Sequence, residues 1–283
     1  MLGRFDYVSP ATLDDAVRRL GPGVAILAGG TDLLVDLRAG RASPSLLVDI
    51  KHVDVLQRLE VSSARGIAVG AAVSLSRLVD TLRALGLASG LAEAASAIAT
   101  VQLRHRATAV GNLCNASPAA DLAPILLVLD AQVAVTGPRG ERVLPLDGFF
   151  VGAKRTCLAA DEIVTEIRIP KLDVDLRSAF RKQQRLRGHD LAVASAAAAF
   201  SASDGLLRVA IGSCAPTPLL LPPLRVGRSP EASVDEVVAL ASQSISPISD
   251  ARSSAAYRAA VVPVLVRRAV LDVLKEGGRP STP

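Results

Sequence analysis

The chain has no tryptophan, only two tyrosines and five phenylalanines in 283 residues. Proteins that grip single-stranded nucleic acid stack bases on aromatic side chains along a basic groove, and neither half of that requirement is met. Its 32 basic and 27 acidic residues leave a net charge of +5 and are interleaved along the chain, so no footprint for a polyanion stands out. The densest basic cluster, Arg181-Lys182-Gln183-Gln184-Arg185-Leu186-Arg187, has an aromatic neighbour only in Phe180. No nucleic-acid partner is expected. Cysteine is equally scarce. Cys114, Cys157 and Cys214 form no paired motif and read as free thiols in a reducing, cytoplasmic compartment. They also supply no ligand set for an iron–sulfur cluster. His52, His105 and His189 have no companions at zinc-ligand spacing, and no serine sits in a nucleophile elbow. No segment is apolar and long enough for a membrane span, and no basic-then-apolar leader opens the chain. No metal site and no catalytic constellation are therefore expected in this chain.

Two stretches of small and polar residues stand out against an otherwise apolar sequence. The first is Leu27-Ala28-Gly29-Gly30-Thr31-Asp32-Leu33-Leu34. Apolar Val24–Leu27 reads as a strand, the glycines as a tight turn and Leu33–Leu37 as the start of a helix. Free backbone N–H groups at such a turn can cradle a phosphate, with the Thr31 hydroxyl beside them. The spacing is neither the G-x-G-x-x-G fingerprint nor a P-loop, and a plain turn is the competing reading. The second stretch is residues 104–121, from Arg104 to Asp121, and it reads as a polar loop between an alanine-rich helix at 91–100 and an apolar helix at Leu122–Leu129. Thr108, Asn112, Asn115 and Ser117 offer short hydrogen-bonding side chains, and Gly111 permits close approach of a ligand. Asp121 can cap the following helix or accept from a sugar hydroxyl.

Around these stretches the chain reads as follows. Asp6–Pro10 opens as a strand; Thr12 caps a helix carrying Leu13, Ala16, Val17 and Leu20; Leu46–Ile50 is a second parallel strand, which puts the glycine turn at a carboxyl edge, where α/β folds bind ligands. Ile67–Gly70 is a strand and Ser74 caps the next helix. Val133–Val135 and Arg142–Leu144 pair across a Gly137–Gly140 turn, and the alternation of Ile163–Ile169 makes a strand closed by Pro170. The apolar run Leu191–Phe200 fits a buried strand, although its alanines leave helix open. Leu206–Ile211 pairs with it, and Glu231–Ser242 and Ser253–Leu274 are helices. On the last of these Tyr257, Val261, Val264, Leu265 and Ala269 form the expected inner stripe, with Arg258, Arg267 and Arg268 facing solvent or a partner.

The two stretches resemble the two FAD-binding motifs of the flavoprotein (medium) subunits of the molybdenum hydroxylases, the family of xanthine dehydrogenase, carbon monoxide dehydrogenase and 4-hydroxybenzoyl-CoA reductase. The resemblance continues through Phe150–Thr156, Asp161-Glu162-Ile163, Phe180-Arg181-Lys182, His189-Asp190-Leu191-Ala192 and Asp250–Tyr257. With it, the pattern along the chain reads as a mixed α/β and α+β fold: a two-lobed FAD-binding domain (1–58 and 59–170), a charged, proline-bounded linker at 171–176, a smaller α+β C-terminal domain at 177–275 and a disordered tail at 276–283. FAD contacts are implied for Leu27, Ala28, Gly29, Gly30, Thr31, Asp32 and Leu33, with the glycine turn at the diphosphate, so that a side chain at Gly29 would displace the phosphate and spare the fold. Further contacts are implied for Thr108, Val110, Gly111, Asn112, Asn115, Ser117, Ala120 and Asp121, and for Ile163, Lys182 and Asp190. Asp32 has a helix cap as its alternative role, and Lys182 either solvates a domain edge or sets a cation beside the flavin.

One position departs from the family pattern. Where the second motif usually reads Thr-x-Gly-Gly-Asn, the first glycine is Val110. A β-branched residue does not take a positive φ cheaply, so its backbone is expected in the β region. The function implied is transfer of electrons from partner iron–sulfur clusters through FAD to an external acceptor. The 2Fe-2S clusters would lie on a small subunit and the molybdenum cofactor on a large one, in a dimer of heterotrimers. The alternatives are a stand-alone flavin-dependent oxidoreductase and an assembly or structural subunit without cofactor.

Overall fold

The computed structural model describes residues 3–275 except 174, 187 and 228; the tail at 276–283 lies outside the described residues. The chain opens with β1 (Asp6–Val8), α1 (Leu13–Arg18), β2 (Val24–Leu27), α2 (Leu33–Arg38) and β3 (Leu46–Asp49). β3 lies between β1 and β2 and is parallel to both. All three strands therefore end on one edge, and the glycine turn leaves β2 at that edge. Thr12 caps α1 as its sequence requires, its hydroxyl oxygen accepting from the Asp15 N–H.

The second lobe runs β4 (Leu59–Ser62), β5 (Gly66–Gly70), α3 (Leu75–Leu85), α4 (Ser89–Ser96), α5 (Val101–Arg104), α6 (Ala109–Cys114), α7 (Leu122–Val128), β6 (Gln132–Gly137), β7 (Gly140–Pro145), β8 (Phe150–Gly152), β9 (Arg155–Thr156) and β10 (Ile163–Ile169). Its sheet is antiparallel throughout, in the order β4-β5-β10-β6-β7, and β8 and β9 form a separate hairpin. α7 is buried along its whole length, from Leu122 to Val128, and serves as the core against which the rest packs.

The smaller α+β domain holds β11 (Arg177–Gln183), β12 (Ala194–Ser201), β13 (Leu206–Gly212), β14 (Leu219–Leu220), β15 (Leu224–Arg225), α8 (Pro230–Ser244) and α9 (Ala255–Leu274). β12 resolves the helix-or-strand ambiguity of its alanines. Ala194, Ala196 and Ala198 face α9, whereas Ala197 and Ala199 join the core built on α7. Both faces are covered, so methyl groups on alternating sides let a helix approach from each. The inner stripe of α9 departs from expectation. Tyr257 and Val264 are exposed, and Arg258 is 1% exposed and turned into the interior. The interior there is built from backbone carbonyls that a helical period does not reveal.

Among the described residues no helix is long and apolar enough to cross a membrane, and no group of three or more His, Cys, Asp or Glu side chains is arranged to hold a metal ion.

Candidate flavin site

The two polar stretches meet. At Gly29 an added Cβ would lie 2.8 Å from the Ala107 Cα and closer still to the Arg106 carbonyl oxygen. The backbone of the first turn thus rests directly on the backbone leading into the second stretch, and only glycine allows that approach. Gly30 supplies the turn itself, at φ +75°. Beyond it the chains are tied by side chains. The Asn115 amide donates to Asp32 Oδ1 (3.0 Å), and Lys154 Nζ donates to Asn115 Oδ1 (2.6 Å). Lys154 sits in the β8–β9 turn at φ +58°, and its N–H also donates to the Ala116 carbonyl. The Phe150–Thr156 stretch carries the family resemblance, yet without chain proximity nothing marks Lys154 as part of the site.

Four consecutive N–H groups, those of Gly29, Gly30, Thr31 and Asp32, donate to no acceptor among the described residues. Such a run at the start of a helix favours an anion. Asp32 makes no side-chain cap to α2; its carboxylate is used by Asn115 instead. Leu27 and Ala28 carry the chain from β2 into the turn, and Leu33 begins α2.

Within the second stretch the expected loop contains a helix. Thr108 is the N-cap of α6, its hydroxyl oxygen accepting from the Gly111 N–H at 3.0 Å. Val110 is therefore helical, and the expectation of a β-region backbone is wrong. The six residues Ala-Val-Gly-Asn-Leu-Cys are too few for a period to register. Val110 is only 5% exposed and packs into the core, which gives the valine a reason to replace a family glycine. Val110→Gly is expected to cost about 2–4 kcal/mol, from lost burial and helix propensity, read as a shift in the denaturant midpoint of the purified chain. Asn112 projects from the same helix, and its buried Oδ1 has no hydrogen-bond partner among the described residues. Asn115 ends α6, Ser117 accepts from the Ala119 N–H, and the Ala120 N–H closes the turn on the Ser117 carbonyl.

Asp121 makes no side-chain cap to α7. It pairs instead with Lys182 of β11, Nζ to Oδ2 at 2.7 Å, with the two side chains 6% and 7% exposed. Lys182 also reaches the Ala97 carbonyl at 3.3 Å. Burial pushes the Asp121 carboxyl up to about 6, against the pull of the Lys182 ammonium. Its other oxygen, Oδ1, is buried with no partner among the described residues. Lys182 thus belongs to the second stretch and not to a solvated edge.

Two expected contacts lie apart from this cluster. Ile163 is buried at the start of β10, opposite Thr136 of β6. Asp190 is held by Arg185, whose guanidinium hydrogen bonds keep its carboxyl down at about 2. Neither joins the hydrogen-bonded cluster of the two stretches.

Two family models together match most of the chain. The FAD binding domain in molybdopterin dehydrogenase matches residues 3–172, and the CO dehydrogenase flavoprotein C-terminal domain matches residues 178–273. The chain belongs to the FAD-binding medium subunits of the molybdopterin dehydrogenases. The carbon monoxide dehydrogenase medium chain of Hydrogenophaga pseudoflava is 30% identical, over 94% of this chain and 96% of that one. The caffeine dehydrogenase subunit beta of a Pseudomonas species is 34% identical over 76% of this chain and 75% of its own length. Among solved structures, carbon monoxide dehydrogenase from Hydrogenophaga pseudoflava superposes with a TM-score of 0.86 at 29% identity, covering 96% of this chain and 97% of that one. Quinoline 2-oxidoreductase from Pseudomonas putida 86 gives 0.84 at 26% identity, with 96% and 98% covered. The two-domain architecture of this medium subunit is that of the family.

Proposed function

We propose that the joined stretches hold FAD, with the N–H groups of residues 29–32 at its diphosphate and Asn112 and Asp121 accepting from its polar groups. The observation that carries this reading is the set of unmet hydrogen-bonding groups. On the second segment two buried oxygens lack partners among the described residues, although buried polar groups in folded proteins are nearly always satisfied. The half-buried to exposed turn at 29–32 offers four N–H donors that no described residue uses. A dinucleotide with an anionic centre and hydroxyl-bearing flanks matches that pattern of donors and acceptors. Bound there, FAD would supply electron transfer between iron–sulfur clusters of a partner subunit and an external acceptor.

The chain's own part is positional and electrostatic. Asn115, Asp32 and Lys154 keep the two stretches in register, Thr108 fixes the direction of α6, and Lys182 holds a positive charge beside Asp121 in a dry seam. Substrate chemistry would belong to a molybdenum subunit, with a small iron–sulfur subunit between and the assembly doubled by two-fold symmetry. Relatives named for carbon monoxide, xanthine and caffeine match this chain at 29–34% identity, which fits a subunit whose structure does not follow the substrate. The test combines the purified chain, loaded with FAD, with its iron–sulfur and molybdenum partners. Substrate is expected to bleach the flavin absorbance only when all three are present. Bleaching at the full turnover rate by the lone chain would support the stand-alone oxidoreductase, and failure to take up FAD would support the cofactor-less subunit.

A further inference from the structure

Arg258 is the largest side chain that is fully buried, and its contacts lead towards the flavin site from the opposite domain. Nη1 donates both to the Val193 carbonyl (2.8 Å) and to the Ser213 carbonyl (2.9 Å), and Nη2 donates to Asp250 Oδ1 (2.8 Å). Asp250 is itself fixed, accepting from the Arg252 side chain and from the N–H groups of Arg252 and Ser253.

Each of the two carbonyls belongs to a segment that reaches the second polar stretch. Ser213 has φ +65°, a conformation that costs a non-glycine residue, and its N–H donates to the Pro118 carbonyl at 2.8 Å. Val193 closes the β11–β12 hairpin, its N–H donating to the Gln183 carbonyl. Gln183 follows Lys182, and Lys182 lies opposite Ser195 across the hairpin. One guanidinium therefore holds both the turn that grips Pro118 and the hairpin end that presents Lys182 to Asp121.

As a stability device this arrangement is poor. Arg258 Nε is buried with no partner among the described residues, and an apolar side chain in its place would carry no desolvated charge. A rigid fork that bonds two carbonyls and a carboxylate at once suits a different task.

We infer that Arg258 is a positioning residue for the flavin site, clamping the Ser213–Pro118 tether and the Lys182 hairpin in one geometry. The inference rests on the reading that residues 108–121 bind FAD. The test titrates FAD into the full chain, following flavin fluorescence and the visible circular dichroism of the bound cofactor, for wild type, Arg258→Met, Arg258→Lys and Asp250→Asn. Val266→Ala is the control, since Val266 is fully buried on the same helix and makes none of the clamp's hydrogen bonds. Arg258→Met is expected to weaken FAD by about tenfold or more and to change the dichroism, as loss of charge-assisted bonds implies. Arg258→Lys and Asp250→Asn, which keep part of the network, should fall between it and wild type. Val266→Ala should lower the thermal midpoint with FAD affinity within about threefold of wild type, the spread expected of an independent site. FAD affinity near wild type in Arg258→Met overturns the inference, as does an equal loss in Val266→Ala. Should Arg258→Met not fold, wild-type affinity and dichroism in both Arg258→Lys and Asp250→Asn overturn it instead. Wild type that takes up no FAD removes the flavin reading as well, and so is told apart from these.

Discussion

Gly29→Val is expected to lower the thermal midpoint of the chain by roughly 5–10 °C and to abolish FAD retention together. The family resemblance alone implies the loss of flavin without the loss of stability, because it sets the glycine against a phosphate. The structure sets it against protein. The new side chain would collide with the Arg106 carbonyl and the Ala107 Cα, and backbone on both sides of a contact does not rotate away as a flexible side chain does. Pushing the two stretches apart would also break the Asn115–Asp32 bond. Calorimetry of the apoprotein separates the two accounts. An unchanged midpoint with lost flavin would return Gly29 to a purely phosphate-facing role.

The second large effect concerns the pair in the seam between domains. Asp121→Ala is expected to destabilise the chain by about 3–5 kcal/mol, since it leaves the Lys182 ammonium buried and unpaired. Asp121→Leu combined with Lys182→Met should recover most of that stability while FAD affinity stays low. Urea midpoints and flavin titration on the single and double variants would show this. A double variant as unstable as Asp121→Ala would mean that packing and not charge sets the cost.

The same carboxyl gives a pH signature. Its folded value of about 6 lies above the ordinary 3.8. Its contribution to stability is therefore full below about pH 4 and is lost as pH rises through about 6, an effect on the order of 3 kcal/mol for this group. Asp190 and Asp250 are depressed by their arginine partners, so their contributions have the opposite sign and are lost below about pH 4. Between pH 4 and 6 Asp121 should contribute a loss of stability with rising pH, opposed near the lower end by Glu162, which Arg142 holds below its ordinary value of 4.5. The Asp121 contribution should vanish in Asp121→Asn. Saturation with FAD should flatten it too, because a hydroxyl donated to Oδ1 favours the ionised form.

Local chemistry was legible. β2 and β10 have the residue bounds their apolar runs mark, and Thr12 and Ser74 cap the helices they precede. The pairing of β6 with β7 follows from the turn between them. What escaped was whatever depends on a partner distant in sequence. An arginine on an amphipathic helix reads as solvent-facing, and only the carbonyls of Val193 and Ser213 draw Arg258 inward. Lys182 reads either as an edge cation or as one beside a flavin, and its pairing with Asp121 shows only when β11 sets the two together. The polar stretch at 104–121 reads as a loop because Gly111 and Asn112 disfavour helix, although Thr108 starts one. For the candidate site, the motifs indicated which segments matter but not that Lys154 joins them.

The bonds that knit the site have a consequence for the order of folding. Asn115 and Asp32 are 83 residues apart, Lys182 and Asp121 are 61 apart, and Arg258 and Ser213 are 45 apart. Each closes a large loop, whereas α7 and the β6–β7 hairpin close on themselves. Long closures cost entropy before any contact offsets it, so local elements would form first and the cofactor-facing geometry last. Regions joined late are also among the first to open. For this chain, the state competent to take up a dinucleotide is the final product of folding, and the earliest damage under mild stress would be loss of that competence while most of the secondary structure persists.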